Sequence, residues 1–362
     1  MRVGLIARSD KTGLGNQTRN LARMLRPDEV MLIDSSVFNR NEQYPEAYAT
    51  YSVMDIKGFP TNQEVIEWLR GLDVVVTCEI FYNRLFVDLA RQMGVKTINQ
   101  YNWEFADYLI SPELAKPDML VSPSHWHINE ARRIWHNVEY LPTPVFVDDF
   151  NEVREHNSTR TGKKRFLHIM GRSAANDRNG TQDVIQAMRY SRGDFELVIK
   201  TQGKQDELIN KFNDPRITVD TSSPENEVEL YRGFDALIMP RRYGGQCLPM
   251  SEALCAGMPV IMTMIPPNDT ILPRHWLIPS KHDGRFMART LIDLYTVNHY
   301  DLGHRMDLWA NKDLRDDKVI AYNIGYREFS NYELEQKWDN LINEVYRKPE
   351  SHSTRTLESS TG

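Results

Sequence analysis

The chain has 362 residues, of which 41% are hydrophobic and 26% charged, so it is long enough for two globular domains of ordinary size. Its net charge of −6 excludes an overall basic field that attracts nucleic acid or an anionic membrane, but not a local basic groove. No stretch approaches the roughly 18 apolar residues of a membrane span, and the N-terminus lacks the apolar region of a secretory signal. The three widely spaced cysteines, Cys78, Cys247 and Cys255, argue against a disulfide framework and favour a cytoplasmic protein.

In the first half of the chain, short β-rich runs alternate with stretches of helical periodicity. The predicted strands are VGLIAR, VMLID, VVVT, TINQY and MLVSPS, and helices are predicted over Glu64–Leu72 and Phe86–Met93. This alternation is typical of a parallel sheet in an α/β protein. It predicts an N-terminal Rossmann-like domain over residues 1–155.

The second half restarts the same pattern after a polar stretch. Residues 152–164 are polar and unpatterned and are interpreted as a linker, and RFLHIMG, FELVIKT, ITVD, ALIMP and PVIMT are predicted strands. They predict a second Rossmann-like domain over 156–328. A final amphipathic helix is predicted from Asn331 to Tyr346, within a segment 329–347 that packs on the first domain. The Ser/Thr-rich residues 348–362 are interpreted as a disordered tail or cloning remnant.

A glycine-rich loop follows the first strand. Gly13 and Gly15 allow tight backbone approach, and the helix that they open has free N–H groups suited to an anionic or polyhydroxyl ligand. The dinucleotide fingerprint is only partly met, because Thr18 stands at its third glycine, although Asp34 lies at the distance of its acidic residue. A tight strand–helix turn without function is the alternative interpretation.

Cationic residues follow two strands of the second half. Gly171 and Arg172 end one strand, Arg178 lies in the polar loop behind it, and Lys200 closes the next strand. The carboxyl edge of a parallel sheet is where such folds bind ligands, and a guanidinium there can grip a diphosphate. A solvated loop arginine and a snorkelling edge lysine are the alternatives.

The most informative segment is ALIMPRRYGGQCLPMSEALCAGMPVIMT. A buried strand leads into a glycine-rich turn, where Gly244 and Gly245 expose backbone N–H groups at the entrance of a helix. That helix carries Glu252, whose carboxylate can accept hydrogen bonds from two ribose hydroxyls. Its apolar neighbours Ala253 and Leu254 argue against a merely solvated glutamate.

This segment resembles the signature of the retaining GT-B glycosyltransferases of family four, the glycosyl transferases group one. Their pattern is Glu-Gly-Phe-Gly-Leu-Pro-x-x-Glu-Ala, a few small residues, and Gly-x-Pro-Val. The matching residues are Gly245, Leu248, Pro249, Glu252, Ala253, Gly257, Pro259 and Val260. Weaker resemblances to family segments occur at GLGNQTRNLARML, YLPTPVFVDDF, VELYRGFDALIMPRR and the GR…G…AM stretch from Gly171 to Met188.

The resemblance implies two Rossmann-like domains facing across a cleft, with the C-terminal helix crossing back to the first domain. It implies transfer of a hexose from a nucleoside-diphosphate sugar, with uridine the expected base, to a hydroxyl acceptor, with retention and without metal or other cofactor. The implied cations for the diphosphate are Arg172, Arg178 and Lys200. The implied donor-binding residues are Gly15, Asn16, Gly171, Gly244, Gly245, Gln246, Cys247, Leu248 and Glu252.

The chain departs from the family pattern at three places. Gly244 stands where the family has the carboxylate that holds the transferred sugar, so that role passes to Gln246, to backbone amides or to nothing. Asn179 stands at the lysine of the family's Lys-Gly pair. Asn102 begins the stretch that stands in place of an N-domain histidine. These departures bear on sugar identity and catalysis more than on the fold.

Trp103 and Glu104 follow Asn102 and are the acceptor-side candidates. A carboxylate acting there as general base would indicate inversion, and an aromatic core residue beside a solvated acid is the alternative. His125 and His127 are interpreted as structural, so no metal site is predicted. The acceptor is left open between a modified DNA base, a protein and a small glycan.

Other functions remain open at this point. An inverting GT-B enzyme or a nucleotide-sugar epimerase would use the same frame. A non-catalytic partner subunit is compatible with the missing glutamate and lysine. A nicotinamide-dependent oxidoreductase is disfavoured, because the first glycine loop is incomplete and the motifs of the second half would stay unexplained.

Overall fold

The computed structural model describes residues 1–38, 41–171, 176–201, 214–222, 224 and 226–348. In this part of the chain two domains are each built on a parallel sheet, which confirms the predicted α/β class. None of the described helices is both long enough and apolar enough to cross a membrane.

The N-terminal sheet has seven parallel strands in the described chain, in the order β3-β2-β1-β4-β5-β6-β7. Helices cover both of its faces, so its central strands are apolar runs rather than alternating ones, and β4 is buried along its whole length. The strands are β1 (Val3–Arg8), β2 (Glu29–Asp34), β3 (Val53–Lys57), β4 (Val74–Cys78), β5 (Lys96–Gln100), β6 (Met119–Ser122) and β7 (Val138–Tyr140). The sequence analysis missed β3 and β7.

The helices of this domain are short and follow the strands. Helix α2 begins with a capping box, because the Thr61 side chain accepts from the Glu64 amide while the Glu64 carboxylate accepts from the Thr61 amide. The helices are α1 (Gly13–Leu25), α2 (Asn62–Leu69), α3 (Phe86–Gln92), α4 (Asp107–Ile110) and α5 (Ile128–Ile134).

The C-terminal sheet has six parallel strands in the described chain, in the order β10-β9-β8-β11-β12-β13. They are β8 (Lys164–Gly171), β9 (Phe195–Thr201), β10 (Ile217–Asp220), β11 (Ala236–Met239), β12 (Val260–Thr263) and β13 (Leu277–Ile278). The helices that follow α5 are α6 (Asn151–Thr159), α7 (Thr181–Ala187), α8 (Leu248–Cys255), α9 (Asn268–Ile271), α10 (His299–Asn311) and α11 (Arg315–Phe329). All five strands predicted for this half are present.

An antiparallel hairpin, β14 (Ser280–Met287) with β15 (Leu291–Val297), leaves this sheet and reaches the other domain. At its tip the Arg289 amide donates to the Glu104 carbonyl at 3.1 Å, and the Thr290 hydroxyl donates to the Trp103 carbonyl at 2.8 Å. Its apolar face packs in a small cluster with Trp126 of the first domain. The hairpin therefore spans the two domains, and it was not predicted.

The predicted linker differs from the structure. Residues 151–159 form helix α6, whose Val153 is fully buried in the core of the second domain. Asn157 fixes the helix there, because its side chain donates to the Tyr231 carbonyl at 2.9 Å and accepts from the Gly233 amide at 2.7 Å. A single apolar residue anchors this polar helix, which is why its periodicity is weak. The second core extends back to Val145, ahead of the boundary placed at 155.

The last helix, α12 (Asn331–Arg347), crosses back to the first domain as predicted. Ser330 caps it by accepting from the Glu333 amide at 3.2 Å. One face of the helix joins the core beneath β1 and α1, through Leu334, Trp338, Leu341, Ile342 and Val345.

The chain passes between the domains at two adjacent places. The first passage runs through Val145 and the second through Ser330, and the two form a parallel bridge. The Val145 amide donates to the Phe329 carbonyl at 2.7 Å, and the Asn331 amide donates to the Val145 carbonyl at 2.9 Å.

Candidate functional site

A cleft of about 640 Å³ lies between the two domains. It is lined by residues that follow the carboxyl ends of β1, β4 and β5 on one side and of β8 and β11 on the other, the edge at which parallel sheets bind ligands. The lining includes Thr12, Asn16, Glu79, Asn102, Thr143, Gly171, Arg178, Asn179, Tyr231, Arg241, Gln246, Cys247, Leu248 and Glu252.

The first glycine loop forms the N-terminal wall. The Thr12 side chain accepts from the Gly15 amide at 3.3 Å and caps α1. A Cβ on Gly15 would lie 1.7 Å from the Asp10 carbonyl oxygen, so this glycine is required by close packing. Asn16 lines the cleft, and its amide donates across it to the Glu227 carboxylate at 2.9 Å. The predicted donor contact thus fits Asn16, whereas Gly15 shapes the loop.

Glu252 lies in α8 with its carboxyl at the cleft. The Tyr231 hydroxyl donates a hydrogen bond to it. Burial raises the pKa of Glu252 to about 7, because removing water disfavours the charged form. Among the described residues the Tyr231 hydroxyl is the donor that holds this carboxyl, and the position of the carboxyl suits the predicted ribose hydroxyls.

At the end of β8 the chain turns at Gly171, which has φ of +66° and lines the cleft. Asn179, at the position of the family lysine, donates to the carbonyls of Ile169 and Met170 at 3.0 and 3.1 Å. It therefore completes the strand end rather than supplying a charge. Asp177 accepts from the first amides of α7, at 2.9 Å from Thr181 and 2.8 Å from Gln182.

Arg178 lines the cleft and reaches the first domain. Its guanidinium pairs with Glu104 at 2.5 Å and lies 5.3 Å from the centre of the Tyr243 ring. The predicted diphosphate cation and the predicted acceptor-side acid are therefore bound to each other.

Of the other two predicted cations, Lys200 is described and is not among the residues that line the cleft. Lys200 pairs with Asp220 on the neighbouring strand, and its ammonium donates to the Ser222 hydroxyl at 3.2 Å. Its geometry gives no support to a diphosphate role, which stays a prediction. Arg172 lies outside the described residues, as do residues 349–362 of the predicted tail.

The turn before α8 contributes Gln246, Cys247 and Leu248 to the lining. The Gln246 side chain is not free for a sugar, because its oxygen accepts from the Thr143 amide at 2.9 Å and its nitrogen donates to the Thr143 carbonyl at 3.2 Å. This pair of bonds fixes the turn against the first passage between the domains.

Gly244 and Gly245 shape that turn. Gly244 has φ of +120°, and a Cβ there would lie 2.4 Å from a nitrogen of Arg241 and 2.7 Å from one of Arg178. A Cβ on Gly245 would lie 3.1 Å from the Ser124 hydroxyl of the first domain. The place of the missing family carboxylate is therefore filled by two guanidinium groups.

The acceptor-side candidates lie behind the lining rather than in it. The Trp103 ring stacks on His127 with 4.6 Å between ring centres. Glu104 is 4% exposed, and one of its carboxylate oxygens has no hydrogen-bond partner. The His125 ring likewise stacks on Tyr140 at 4.0 Å. Aromatic packing thus accounts for both histidines.

Glu79 and Arg241 are among the charged lining residues that were not predicted. Glu79 follows β4 with φ of +62°, its carboxylate accepts from the Asn102 amide at 2.8 Å, and burial raises its pKa. Arg241 follows β11 and is 4% exposed. The signal for each was a charged residue directly after a buried apolar strand, the same signal that singled out Lys200.

The family model for Glycosyl transferases group 1 matches residues 164–296. The predicted resemblance is confirmed, and so is the predicted enzyme class, a glycosyltransferase. No curated protein matches the chain.

Solved glycosyltransferases share the fold over 95–96% of the chain. A glycosyltransferase from Rickettsia africae ESF-5 is 13% identical, with a TM-score of 0.68 over 96% of this chain and 99% of that one. The lipopolysaccharide outer core galactosyltransferase WaaB is 14% identical, with a TM-score of 0.65 over 95% and 99%. HepE from Anabaena, in complex with UDP and glucose, is 9% identical, with a TM-score of 0.66 over 95% and 100%. The predicted GT-B architecture is thereby confirmed.

Proposed function

We propose that this chain transfers a hexose from a UDP-sugar to a hydroxyl acceptor, with retention of anomeric configuration and without metal. The observation that carries the proposal is that one interdomain cleft is lined both by a carboxyl on α8 and by a cation from the β8–α7 loop. Glu252 and Arg178 both line this cleft. The complex of HepE with UDP and glucose supports uridine as the base.

In the proposed reaction the protein contributes charge and position. Arg178, together with the predicted Arg172, offsets the charge that develops on the leaving diphosphate, and the ribose is held by Glu252. The departing phosphate oxygen takes the acceptor's proton on the same face, so retention needs no protein base. The cleft walls restrict water, which would otherwise hydrolyse the donor.

Thermal unfolding with nucleotides tests the donor assignment. UDP or GDP at 1 mM raises the Tm of the wild type, and Arg172→Ala and Arg178→Ala remove the rise. Arg192→Ala, an exposed arginine outside the cleft, serves as the charge-matched control and keeps it. A full rise in both the Arg172 and the Arg178 variants would contradict the diphosphate assignment.

Donor hydrolysis separates an enzyme from a non-catalytic partner subunit, which stays the main alternative. The wild type is expected to release UDP from UDP-glucose slowly, and Glu252→Ala to do so much less. If the wild type shows neither turnover nor a nucleotide-dependent Tm rise, the enzyme proposal fails.

An inverting reaction is the second candidate, and Glu79 is the observation that favours it. This acid lines the cleft on the acceptor domain, and its raised pKa is suited to a general base. Glu104, the acid predicted for that role, is paired with Arg178. The anomeric configuration of the product, read by NMR, decides between retention and inversion.

The acceptor is proposed to be a hydroxyl on a modified DNA base, a protein or a small glycan. Assaying radiolabelled UDP-glucose against 5-hydroxymethylcytosine DNA, a serine-rich peptide and methyl glucoside separates these classes. The cytoplasmic location is part of the same proposal, and it is supported by the burial of the free thiols of Cys78, Cys247 and Cys255.

A further inference from the structure

Arg241 is a buried arginine whose surroundings leave its charge without a direct partner. Its side chain lines the cleft although the residue is only 4% exposed. One of its terminal nitrogens donates to the Gly245 carbonyl at 3.3 Å, and its Nε has no hydrogen-bond partner. Within the described residues, no carboxylate lies within the 4.0 Å of an ion pair with Arg241.

A second guanidinium lies beside it. Arg178 and Arg241 approach the same face of Gly244, where a Cβ would clash with nitrogens of both. The Nε of Arg178 is also buried and lacks a hydrogen-bond partner. Arg178 is paired with the Glu104 carboxylate through one of its terminal nitrogens.

A buried cation is unfavourable unless an anion and hydrogen-bond acceptors replace the water that it has lost. Burial lowers the pKa of Arg241, and the neighbouring positive charge of Arg178 lowers it further. Two guanidiniums converge at the wall of the cleft, and each has an N–H group without an acceptor. An anionic group can accept hydrogen bonds from such donors through two oxygens at once.

We propose that Arg241 and Arg178 form a binding site for an anionic group of the donor, at the turn where Gly244 makes room for both side chains. The inference rests on the proposed nucleotide-sugar donor. The anionic oxygens belong either to the donor's β-phosphate or to a carboxylate on the transferred sugar. Arg241 then selects donors by charge at a position where an uncharged sugar would leave its N–H donors unfilled.

Titration calorimetry of the full chain with UMP, UDP, UDP-glucose and UDP-glucuronate tests the proposal. Arg241→Gln removes the charge, Arg241→Lys keeps it without the bidentate geometry, and the exposed Arg315→Gln is the charge-matched control. Charge-assisted hydrogen bonds of this kind lead us to expect a loss of about 10-fold or more in the affinity for the recognised anion in Arg241→Gln. Arg241→Lys is expected to be intermediate and Arg315→Gln unchanged.

The four probes distinguish the two sources of the anion. If the β-phosphate is bound, Arg241→Gln weakens UDP and both UDP-sugars alike and removes the advantage of UDP over UMP. If a sugar carboxylate is bound, the wild type prefers UDP-glucuronate to UDP-glucose, and the variant loses only that preference. A folded Arg241→Gln that binds all four probes as the wild type does overturns the proposal.

Two further measurements test the anion site where the first titrations cannot be made. If Arg241→Gln does not fold, the more exposed Arg178→Gln is titrated instead, and the same loss supports the site whereas unchanged affinities overturn it. If the wild type binds none of the four nucleotides, the proposed function fails. Inorganic pyrophosphate then tests the anion site alone, because binding that depends on Arg241 supports it and no binding overturns it.

Discussion

At the scale of single residues, the fold shifts the pKa of Glu252 into the neutral range. It lies on α8 at the cleft, accepts from the Tyr231 hydroxyl and has a pKa raised to about 7. A carboxyl with that pKa is half ionised near neutral pH. Ribose hydroxyls donate hydrogen bonds, so they bind the ionised form better than the protonated one.

The affinity for UDP-glucose should therefore rise with pH from 6 to 8 in the wild type and stay nearly level in Glu252→Gln. UDP-glucose is the suitable probe, because its diphosphate lacks the terminal phosphate proton that is lost near pH 6. Calorimetric titration across this range measures the effect. An equal slope in both proteins would show that another group is responsible.

The same group affects stability with the opposite sign. Its pKa is higher in the folded state than the ordinary 4.5, so the folded protein binds more protons and its free energy of unfolding falls as pH rises from about 4.5 to 7. Glu252→Gln should be more stable than the wild type at pH 8, by about 1–2 kcal/mol after allowance for the solvent in the cleft. Urea unfolding at pH 5 and pH 8 serves as the check.

Single residues were predictable where a local pattern requires them. Glu252, Leu248 and Asn16 were found because strand, turn and helix signals surround them, and all three line the cleft. The pairing of Arg178 with Glu104, 74 positions apart, was not predictable, because no local pattern reports which side chains two domains bring together.

At the scale of elements, α12 stabilises a domain to which it is not adjacent in sequence. Trp338 is fully buried in the core of the first domain, whereas Tyr346 on the same helix is 45% exposed. The apolar stripe was strong enough to predict both the helix and its packing. The hairpin of β14 and β15 was missed, because much of β14 is exposed and polar and its contacts lie in the other domain.

Trp338→Ala should lower the free energy of unfolding by about 3–5 kcal/mol, since it removes a large buried side chain and leaves a cavity. Tyr346→Ala, the control on the same helix, should change it by less than about 0.5 kcal/mol. Guanidinium chloride unfolding of both variants gives the comparison. Equal losses of unfolding free energy in the two variants would contradict the packing of α12 in the core of the first domain.

At the scale of the whole molecule, two of the ion pairs that join the domains in the described chain lie in different surroundings. The side chain of Glu104 is 5% exposed in its pair with Arg178, and that of Glu227 is 54% exposed in its pair with Arg19. Exposed pairs contribute little, because water and salt screen them. Breaking a buried pair leaves a charge without its partner.

Glu104→Gln should therefore destabilise the contact between the two domains by about 1–3 kcal/mol. This loss is smaller than for a fully buried pair, because Arg178 keeps some contact with water. It should also increase the radius of gyration in small-angle scattering. Glu227→Gln, which breaks the exposed pair, should change the scattering little and the stability by less than about 1 kcal/mol. A loss of stability in Glu227→Gln as large as that in Glu104→Gln would contradict this prediction.

The double passage of the chain at Val145 and Ser330 limits how the two domains can move. Two covalent strands that are hydrogen-bonded side by side resist sliding and twisting far more than a single strand does. Rotation of one domain relative to the other, about the line through both passages, is the motion that they resist least. We expect the cleft to open by rotation about this line, so that a ligand enters and leaves at the edge opposite the two passages.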